Sequence, residues 1–446
     1  MLRAGAVSQL RRNTLAGALG AVAGALISAI SYPVYLHFLG YEQYGLWLGV
    51  SVVLSFAAFG QLGLAPAVAT NVAQEYARGD LAGVRKTVST ALIALAATGA
   101  IALAGILLGG GGIVSVLHLK PQLAVQARML LPFLAVLSLY VVQIDTLNSV
   151  LTGLGRLDLA VGTQQAGRFL SLVLAASLLG SGVGIVSLPI ASLAGYVFVH
   201  ATSLLLARRI TGESCFAVSA FSFVHLRSLV TFGGGVLASS LINFLLGPLN
   251  KFALTRYVGP SSVPVYDMAF TMTMQIRGVL ESGFRSLMPE ASRLKTLGSE
   301  EAHRRMGAVY GRAMKVVLGS GFALFGGAMI VAHTGLRLWL GARFRPELVS
   351  ALRVMLPGGF ANLLGVPGYY MLLGVRSVRH VVATNTVQCA VNAAALGYFC
   401  HAGVLTAFLA ASAASAGLAA GGAYLLFAAS RGACPQLRNQ ARPERT

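Results

Sequence analysis

Three charged residues lie within one long apolar stretch: Arg277, Glu281 and Arg285. Their spacing of i, i+4 and i+8 places them within about 80° of one helix face, at about 100° per residue. Arginine keeps its charge and forms bidentate hydrogen bonds to phosphate, so this stripe is suited to binding an anion. Because Glu281 can pair with either arginine, the alternative is a self-neutralised structural stack. One positive charge is left over after pairing, which favours anion binding.

Two further charges fall within apolar stretches of the first half of the chain. Arg168 adds a second buried cation, and cations at depth in both halves suit an anionic substrate. Asp145, with Gln143 and Asn148 nearby, is an isolated carboxylate that can bind a proton or a sodium ion and so couple transport to its gradient. Two interpretations of Asp145 remain open: ion coupling, or pairing with Arg168 or Arg277.

The sequence contains no catalytic constellation around these charges. The eight histidines are scattered, and the glycine run at 109–112, expected in an external loop, lacks the Lys-Ser/Thr that follows a P-loop glycine run. The four cysteines form no CxxC pair. We therefore expect a protein that is not an enzyme and that needs no metal and no cofactor.

The composition indicates that membrane helices position these charges. Hydrophobic residues make up 56% of the 446 residues and charged residues only 10%, whereas a soluble domain carries roughly 25% charged residues. One span needs roughly 20 apolar residues, so this length suits about a dozen spans. The apolar run from Leu15 to Leu36 is too long for a signal peptide, and we expect it to be a retained first span.

We predict twelve transmembrane helices, with both termini in the cytoplasm. Lysine and arginine are concentrated in the segments that this arrangement places inside, as the positive-inside rule requires. The net charge of +20 therefore reflects orientation in a membrane, and we expect no nucleic-acid partner. The predicted spans are 13–36, 44–68, 86–109, 125–152, 159–180, 184–207, 228–249, 263–288, 311–336, 348–373, 380–400 and 403–429.

The two halves of the sequence resemble each other in direct order. The matching segments are 38–47 with 257–266, 119–123 with 344–348, 131–132 with 356–357, and 161–163 with 382–384. Their offsets of 219 to 225 residues each span six predicted helices, so both copies cross the membrane in the same direction.

This parallel repeat predicts an all-α polytopic protein with two six-helix lobes around a central cavity, the geometry of an alternating-access transporter. We expect an N-terminal lobe over 1–215, a C-terminal lobe over 216–430 and a basic cytoplasmic tail over 431–446. The alternative is an old duplication that now serves only packing.

Two motifs near the start of the chain, Gly40 to Gly45 and Gln61 to Ala67, resemble those of Wzx-type polysaccharide flippases of the multidrug/oligosaccharidyl-lipid/polysaccharide exporter superfamily. In that family a G-x-x-x-[YF]-G turn joins the first two spans, and Gly40 to Gly45 match it. A D/Q-x-G-x-x-x-[AS] segment ends the second span, and Gln61 to Ala67 match it. Gln61 stands where the family often has Asp, which weakens any role carried over to that position. The start of the second lobe, 257–266, is similar to the corresponding lobe start of the family.

The resemblance implies a flippase that moves an undecaprenyl-pyrophosphate-linked oligosaccharide from the cytoplasmic to the periplasmic leaflet of the bacterial inner membrane. Such a protein serves the assembly of lipopolysaccharide O-antigen, capsule or exopolysaccharide. A cationic cavity is expected to hold the pyrophosphate, and Arg168, Arg277 and Arg285 suit it. A proton or sodium gradient is the implied energy source, and polysaccharide polymerase machinery is an implied partner.

Two rival functions make different demands on the sequence. An ion-coupled drug antiporter of the same superfamily should carry buried carboxylates for cationic substrates in its N-terminal lobe, where this chain has cations. A membrane polysaccharide polymerase needs a long external loop, and the longest predicted external stretch, about 109–125, is short and apolar.

Overall fold

The computed structural model describes residues 2–61, 63–231, 246–284, 287, 290–292, 300–374 and 377–432. Within these residues the chain is almost entirely helical and contains no β-strand. Seven of the helical segments are long and apolar enough to cross a membrane. Large apolar side chains such as Leu108 (89% exposed), Ile330 (81%) and Leu338 (80%) lie on helix surfaces, as lipid-facing residues do. The expectation of an all-α polytopic membrane protein is therefore confirmed.

The chain divides into two compact units. The first unit comprises Met1–Leu241 and Gly259–Ser261, and the second comprises Ile242–Val258 and Ser262–Thr446. The predicted lobe boundary at 215/216 and the predicted cytoplasmic tail stay predictions, and residues 433–446 of that tail lie outside the described residues.

The first unit contains seven labelled helices and three short 3₁₀ segments. The 3₁₀ segments are Ala58–Gln61, Gly184–Val186 and Val218–Ala220. The helices are α1 (Leu2–Val50), α2 (Val52–Ala57), α3 (Leu64–Ala77), α4 (Leu81–Val116), α5 (Pro121–Gly153), α6 (Leu157–Gly180) and α7 (Ser187–Thr211).

The predicted second span, 44–68, is not one continuous helix. The chain turns at Gly40, where φ is +67°, continues to Val50 and then breaks twice before α3 begins. Gly63 precedes α3 in the left-handed conformation, with φ 64°, which favours glycine because it lacks a Cβ. Pro66 occupies the first turn of α3, where no helical hydrogen bond is lost. The span then extends to Ala77, beyond its predicted end.

The glycine run at 109–112 was predicted to lie in an external loop, and that prediction is wrong. These residues continue α4 up to Val116. A Cβ added at Gly110 would lie 2.6 Å from Cδ1 of Leu131 in α5, so a glycine lets the two helices approach closely. The stretch between α4 and α5 is correspondingly short, covering only 117–120.

The second unit repeats the order of elements in the first unit. Its helices are α8 (Leu246–Tyr257), α9 (Val263–Ser282), α10 (Glu300–Leu340), α11 (Pro346–Leu364), α12 (Val366–Gly374), α13 (Val378–His401) and α14 (Ala407–Gly432). The predicted seventh span falls largely on 232–245, which lies outside the described residues, and the end of the predicted eighth span is described only in part.

Several structural landmarks recur at the offsets found in the sequence. Both α6 and α13 are 24 residues long, and they are displaced by 221 positions. Both α5 and α11 begin at a proline and contain a second proline, Pro132 and Pro357 respectively. The packing recurs as well: α4 and α7 lie against α5 as α10 and α14 lie against α11, and α6 packs on α7 as α13 packs on α14. The duplication is therefore one of structure as well as sequence.

Candidate functional site

In the first unit, Asp145 of α5 lies beside the break in the second span. The Nε2 atom of Gln61 donates to Oδ2 of Asp145 at 3.2 Å and to the carbonyl oxygen of Val141 at 3.3 Å. Gln61 ends the 3₁₀ segment that replaces regular helix there, so the break brings this amide to α5. The Asp145 side chain is exposed rather than packed in the core, which leaves the carboxylate accessible to a small cation.

Arg168 of α6 lies close to the backbone of α1 in the first unit. Its Nη1 atom lies 3.4 Å from the position of a Cβ added at Gly24 of α1, so the side chain crosses the bare backbone of that helix. It also interacts electrostatically with Asp145 of α5 and Tyr196 of α7. The residue is exposed, and among the described residues no carboxylate oxygen lies within 4 Å of its guanidinium. Asp145 and Arg168 are thus near each other without forming an ion pair.

Further polar atoms lie on the same helices of the first unit. The Oε1 atom of Gln165, which faces Gly24, and the Nδ1 atom of His200 are buried and have no hydrogen-bond partner among the described residues. The ring of His200 meets that of Tyr140 edge to face, with centroids 5.7 Å apart. Buried polar atoms are normally hydrogen-bonded, so these two atoms are available to form a hydrogen bond with water or a ligand.

In the second unit, two residues of the predicted charged stripe form a closed pair, that is, an ion pair with each other. Arg277 Nη1 and Glu281 Oε2 of α9 are 2.8 Å apart, and both side chains are half-buried. The hydroxyl of Tyr370 in α12 donates to the other carboxylate oxygen of Glu281 at 2.9 Å. Arg285, the third member of the predicted stripe, lies outside the described residues. For Arg277 and Glu281, the described geometry is therefore that of a neutral pair.

The second unit also contains an ion pair that our sequence analysis missed. Lys251 Nζ of α8 lies 2.5 Å from Oδ1 of Asp267 in α9, and the Asp267 side chain is 7% exposed. In the sequence, neither residue belongs to a spaced motif. At the repeat offset of 219, the first unit has Tyr32 and Leu48 at these positions, and both are buried.

The structure thus separates the predicted site residues into two groups. Arg168 and Asp145 come together in the first unit, and Arg277 and Glu281 come together in the second. Gln61, Tyr196 and Tyr370 were not predicted as contacts, because no spacing rule connects residues on different helices. Within the described residues, no group of three His, Cys, Asp or Glu side chains is placed to hold a metal ion.

A family model described as polysaccharide biosynthesis protein matches residues 10–295 of the chain. This region contains Gln61, Asp145, Arg168, Arg277 and Glu281. A search of the curated proteins gives no match to the sequence.

Solved structures of transporters share the fold over nearly the whole chain. An inward-facing multidrug resistance MATE family transporter of the MOP superfamily is 16% identical, with a TM-score of 0.72 and coverage of 97% of this chain and 96% of that one. The outward-facing conformation of such a transporter is 17% identical, with a TM-score of 0.65 and 97% coverage of both chains. A MOP superfamily transporter from Pyrococcus furiosus is 17% identical, with a TM-score of 0.67 and 95% coverage of both.

These matches confirm the resemblance to the multidrug/oligosaccharidyl-lipid/polysaccharide exporter superfamily, whose MATE-like fold has twelve helices in two lobes. The chain is therefore a multi-pass membrane protein with a transporter fold. The chain belongs to the polysaccharide biosynthesis protein family.

Proposed function

We propose that this transporter is a flippase that moves an undecaprenyl-pyrophosphate-linked oligosaccharide from the cytoplasmic to the periplasmic leaflet of the bacterial inner membrane, by alternating access. Its product serves O-antigen, capsule or exopolysaccharide assembly, and polysaccharide polymerase machinery is the expected downstream partner. Both termini lie in the cytoplasm. Membership of a polysaccharide biosynthesis family and a transporter fold support this proposal.

The proposal rests mainly on the exposure of Arg168 and on the lack of a carboxylate beside its guanidinium among the described residues. A cation within a membrane helix is costly and marks a binding site or an aqueous pathway. Arg168 is accessible and its guanidinium touches no carboxylate among the described residues, so its donors are available to a ligand. A guanidinium in this state is matched in charge and shape to a pyrophosphate oxygen pair.

Arg277 and Arg285 are proposed as secondary contacts for the same anion. A phosphate that binds Arg277 must compete with Glu281, which the Tyr370 hydroxyl helps to hold. Glu281 therefore regulates the availability of Arg277. The role of Arg285 continues to rest on its spacing in the sequence.

Asp145 is the proposed site for the coupling ion, either a proton or sodium. Its carboxylate is accessible, and one Gln61 amide hydrogen-bonds it. Because Asp145 and Arg168 interact electrostatically, neutralising Asp145 leaves the positive charge of Arg168 less compensated. Ion and anion binding should therefore strengthen each other, and by linkage the effect is reciprocal.

The alternative function is an ion-coupled drug antiporter, which the accessible Asp145 and the fold shared with a multidrug transporter favour. The sign of the charge in the binding pocket discriminates between the two functions. For the Pyrococcus furiosus transporter, reverse polarity of the binding pocket suggested a different function. Here the accessible arginine favours an anionic cargo over a cationic drug.

A complementation experiment separates these functions. Bacteria that lack their own O-antigen or capsule flippase would express this chain, and surface polysaccharide and lipid-linked precursor would be quantified. The proposal predicts restored surface glycan and less accumulated precursor. Increased drug resistance without restored glycan, tested across several glycan types, would support the antiporter. A reporter fused after Arg431 should read as cytoplasmic, and a periplasmic signal would contradict the proposed topology.

A further inference from the structure

The segment that follows α7 is attached to the start of α4. Both α7, which ends at Thr211, and α4, which begins at Leu81, belong to segments able to cross a membrane. Arg85 in the first turns of α4 donates from Nε to the carbonyl oxygen of Ser214 at 2.8 Å and from Nη2 to Glu213 at 2.9 Å. The segment therefore starts on the side where α4 begins and α7 ends, at the boundary between headgroups and water.

Side chains of α4 then hold the backbone of this segment in place. The hydroxyl oxygens of Ser89 and Thr90 accept from the backbone N–H groups of Ala217 and Ser222, each at 3.0 Å. Both hydroxyl side chains are fully buried. A second attachment follows, because His225 Nε2 lies 3.7 Å from Glu75. The segment is thus fixed to the first unit at several points.

The outward side of this attached segment is strongly apolar. Val218, Phe223 and Val224 are 71%, 76% and 78% exposed, and the rings of Phe221 and Phe223 meet edge to face at 5.7 Å. Aromatic and aliphatic side chains at this level are typical of residues that enter the interface between headgroups and acyl chains.

Exposed arginines flank the apolar residues. Arg208 and Arg209 lie in the last turn of α7, and Arg227 follows in the helical residues 223–231. Their positive charge is complementary to an anionic lipid surface, which attracts basic residues close to the bilayer. A soluble partner would have to bury these apolar side chains against the headgroups, whereas the bilayer is already present at this level.

We infer that residues 216–224 form an interfacial anchor, in which Val218, Phe223 and Val224 enter the cytoplasmic leaflet while Arg208, Arg209 and Arg227 bind anionic phospholipid phosphates. The contacts with Arg85, Ser89 and Thr90 connect the anchor to α4 of the first unit. The inference depends on the membrane fold and is independent of the cargo.

Depth-dependent fluorescence quenching tests the anchor. The four native cysteines would be replaced by alanine, including Cys215, whose burial raises the pKa of its thiol. Val224→Cys would carry an environment-sensitive fluorophore in nanodiscs that contain phosphatidylglycerol and lipids brominated along the acyl chain. The matched control is Ser219→Cys in the same segment, which lines a groove beside Arg85 and Lys86.

We expect a blue-shifted emission at position 224 and quenching several-fold stronger than at position 219. Replacing Arg208, Arg209 and Arg227 by glutamine, or replacing phosphatidylglycerol by phosphatidylcholine, should weaken that quenching. Equal quenching at the two positions would overturn the anchor, and quenching insensitive to lipid charge would overturn its anionic partner. A blue shift without bromine quenching that grows with protein concentration would assign the surface to a second copy of the chain.

Discussion

The two units have the same order of helices but differ in how the charged residues on those helices are paired. In the first unit, Arg168 and Asp145 interact without contact, and both are accessible. In the second unit, Arg277 is paired with Glu281, and Lys251 with Asp267. Because a closed pair is nearly neutral, the first unit presents the available cation and the available carboxylate.

The comparison also bears on why the closed pairs are present. Where the second unit has Lys251 and Asp267, the first has Tyr32 and Leu48, both buried. The fold therefore tolerates uncharged residues at these places. Since a buried ion pair is often no more stabilising than well-packed apolar residues, stability alone does not account for the charges of the second unit.

The largest effect should come from removing the accessible cation. Arg168→Gln should lower surface polysaccharide at least tenfold, because a lost charged hydrogen bond costs roughly 1.5–3 kcal/mol. Arg168→Lys keeps the positive charge but loses the forked guanidinium that binds two phosphate oxygens at once, and should retain part of the activity. Protein level by immunoblot and glycan by gel would be measured together. Arg128→Gln, an exposed arginine of α5, is the matched control and should match the parent protein.

The next effect concerns Asp145. Asp145→Asn mimics the neutral, ion-loaded carboxylate, so transport in proteoliposomes should become insensitive to an imposed proton or sodium gradient. Anion binding should persist or tighten, because Arg168 is less compensated. A gradient dependence equal to that of the parent protein would rule out Asp145 as the coupling site.

A third prediction concerns the closed pair of the second unit. Arg277→Met should leave Glu281 half-buried and without its cation, and lower the free energy of unfolding by about 1–3 kcal/mol. The double variant Arg277→Met/Glu281→Leu should recover much of that loss. Thermal unfolding in detergent gives both values. A double variant less stable than the single variant would show that the pair contributes more than mutual neutralisation.

The smallest effect should come from adding a methyl group at Gly24, the α1 residue beside Arg168. A methyl group at Gly24 would lie 3.2 Å from Gln165 Oε1 and 3.4 Å from Arg168 Nη1, so the Gln165 side chain must shift by a few tenths of an ångström while Arg168 gains a direct contact. Gly24→Ala should reduce export several-fold with little loss of stability. Gly17→Ala on the same helix is the control, because nothing lies within 4 Å of its added Cβ. Equal export by the two variants would mean that the position of Arg168 is not critical.

Periodicity and repetition predicted much of the fold, and local backbone geometry accounts for most of the errors. The spans and the offsets near 220 follow from apolar runs and from prolines that recur at Pro132 and Pro357. The break before Gly63 and the helical glycines at 109–112 were missed, because glycine permits both a turn and a close helix contact. The partners of Asp267 and Glu281 were missed or only partly predicted, since spacing within one helix says nothing about Lys251 or Tyr370 on another.

The central claim is that Arg168, rather than Arg277, is the main anion contact. The direct test is the dissociation constant of undecaprenyl pyrophosphate from the purified protein, measured by native mass spectrometry in detergent. Arg168→Gln should weaken binding roughly 10- to 100-fold, which corresponds to about 1.4–2.8 kcal/mol, and Arg277→Gln should weaken it distinctly less. Unchanged affinity in Arg168→Gln, or a larger loss in Arg277→Gln, would contradict the claim.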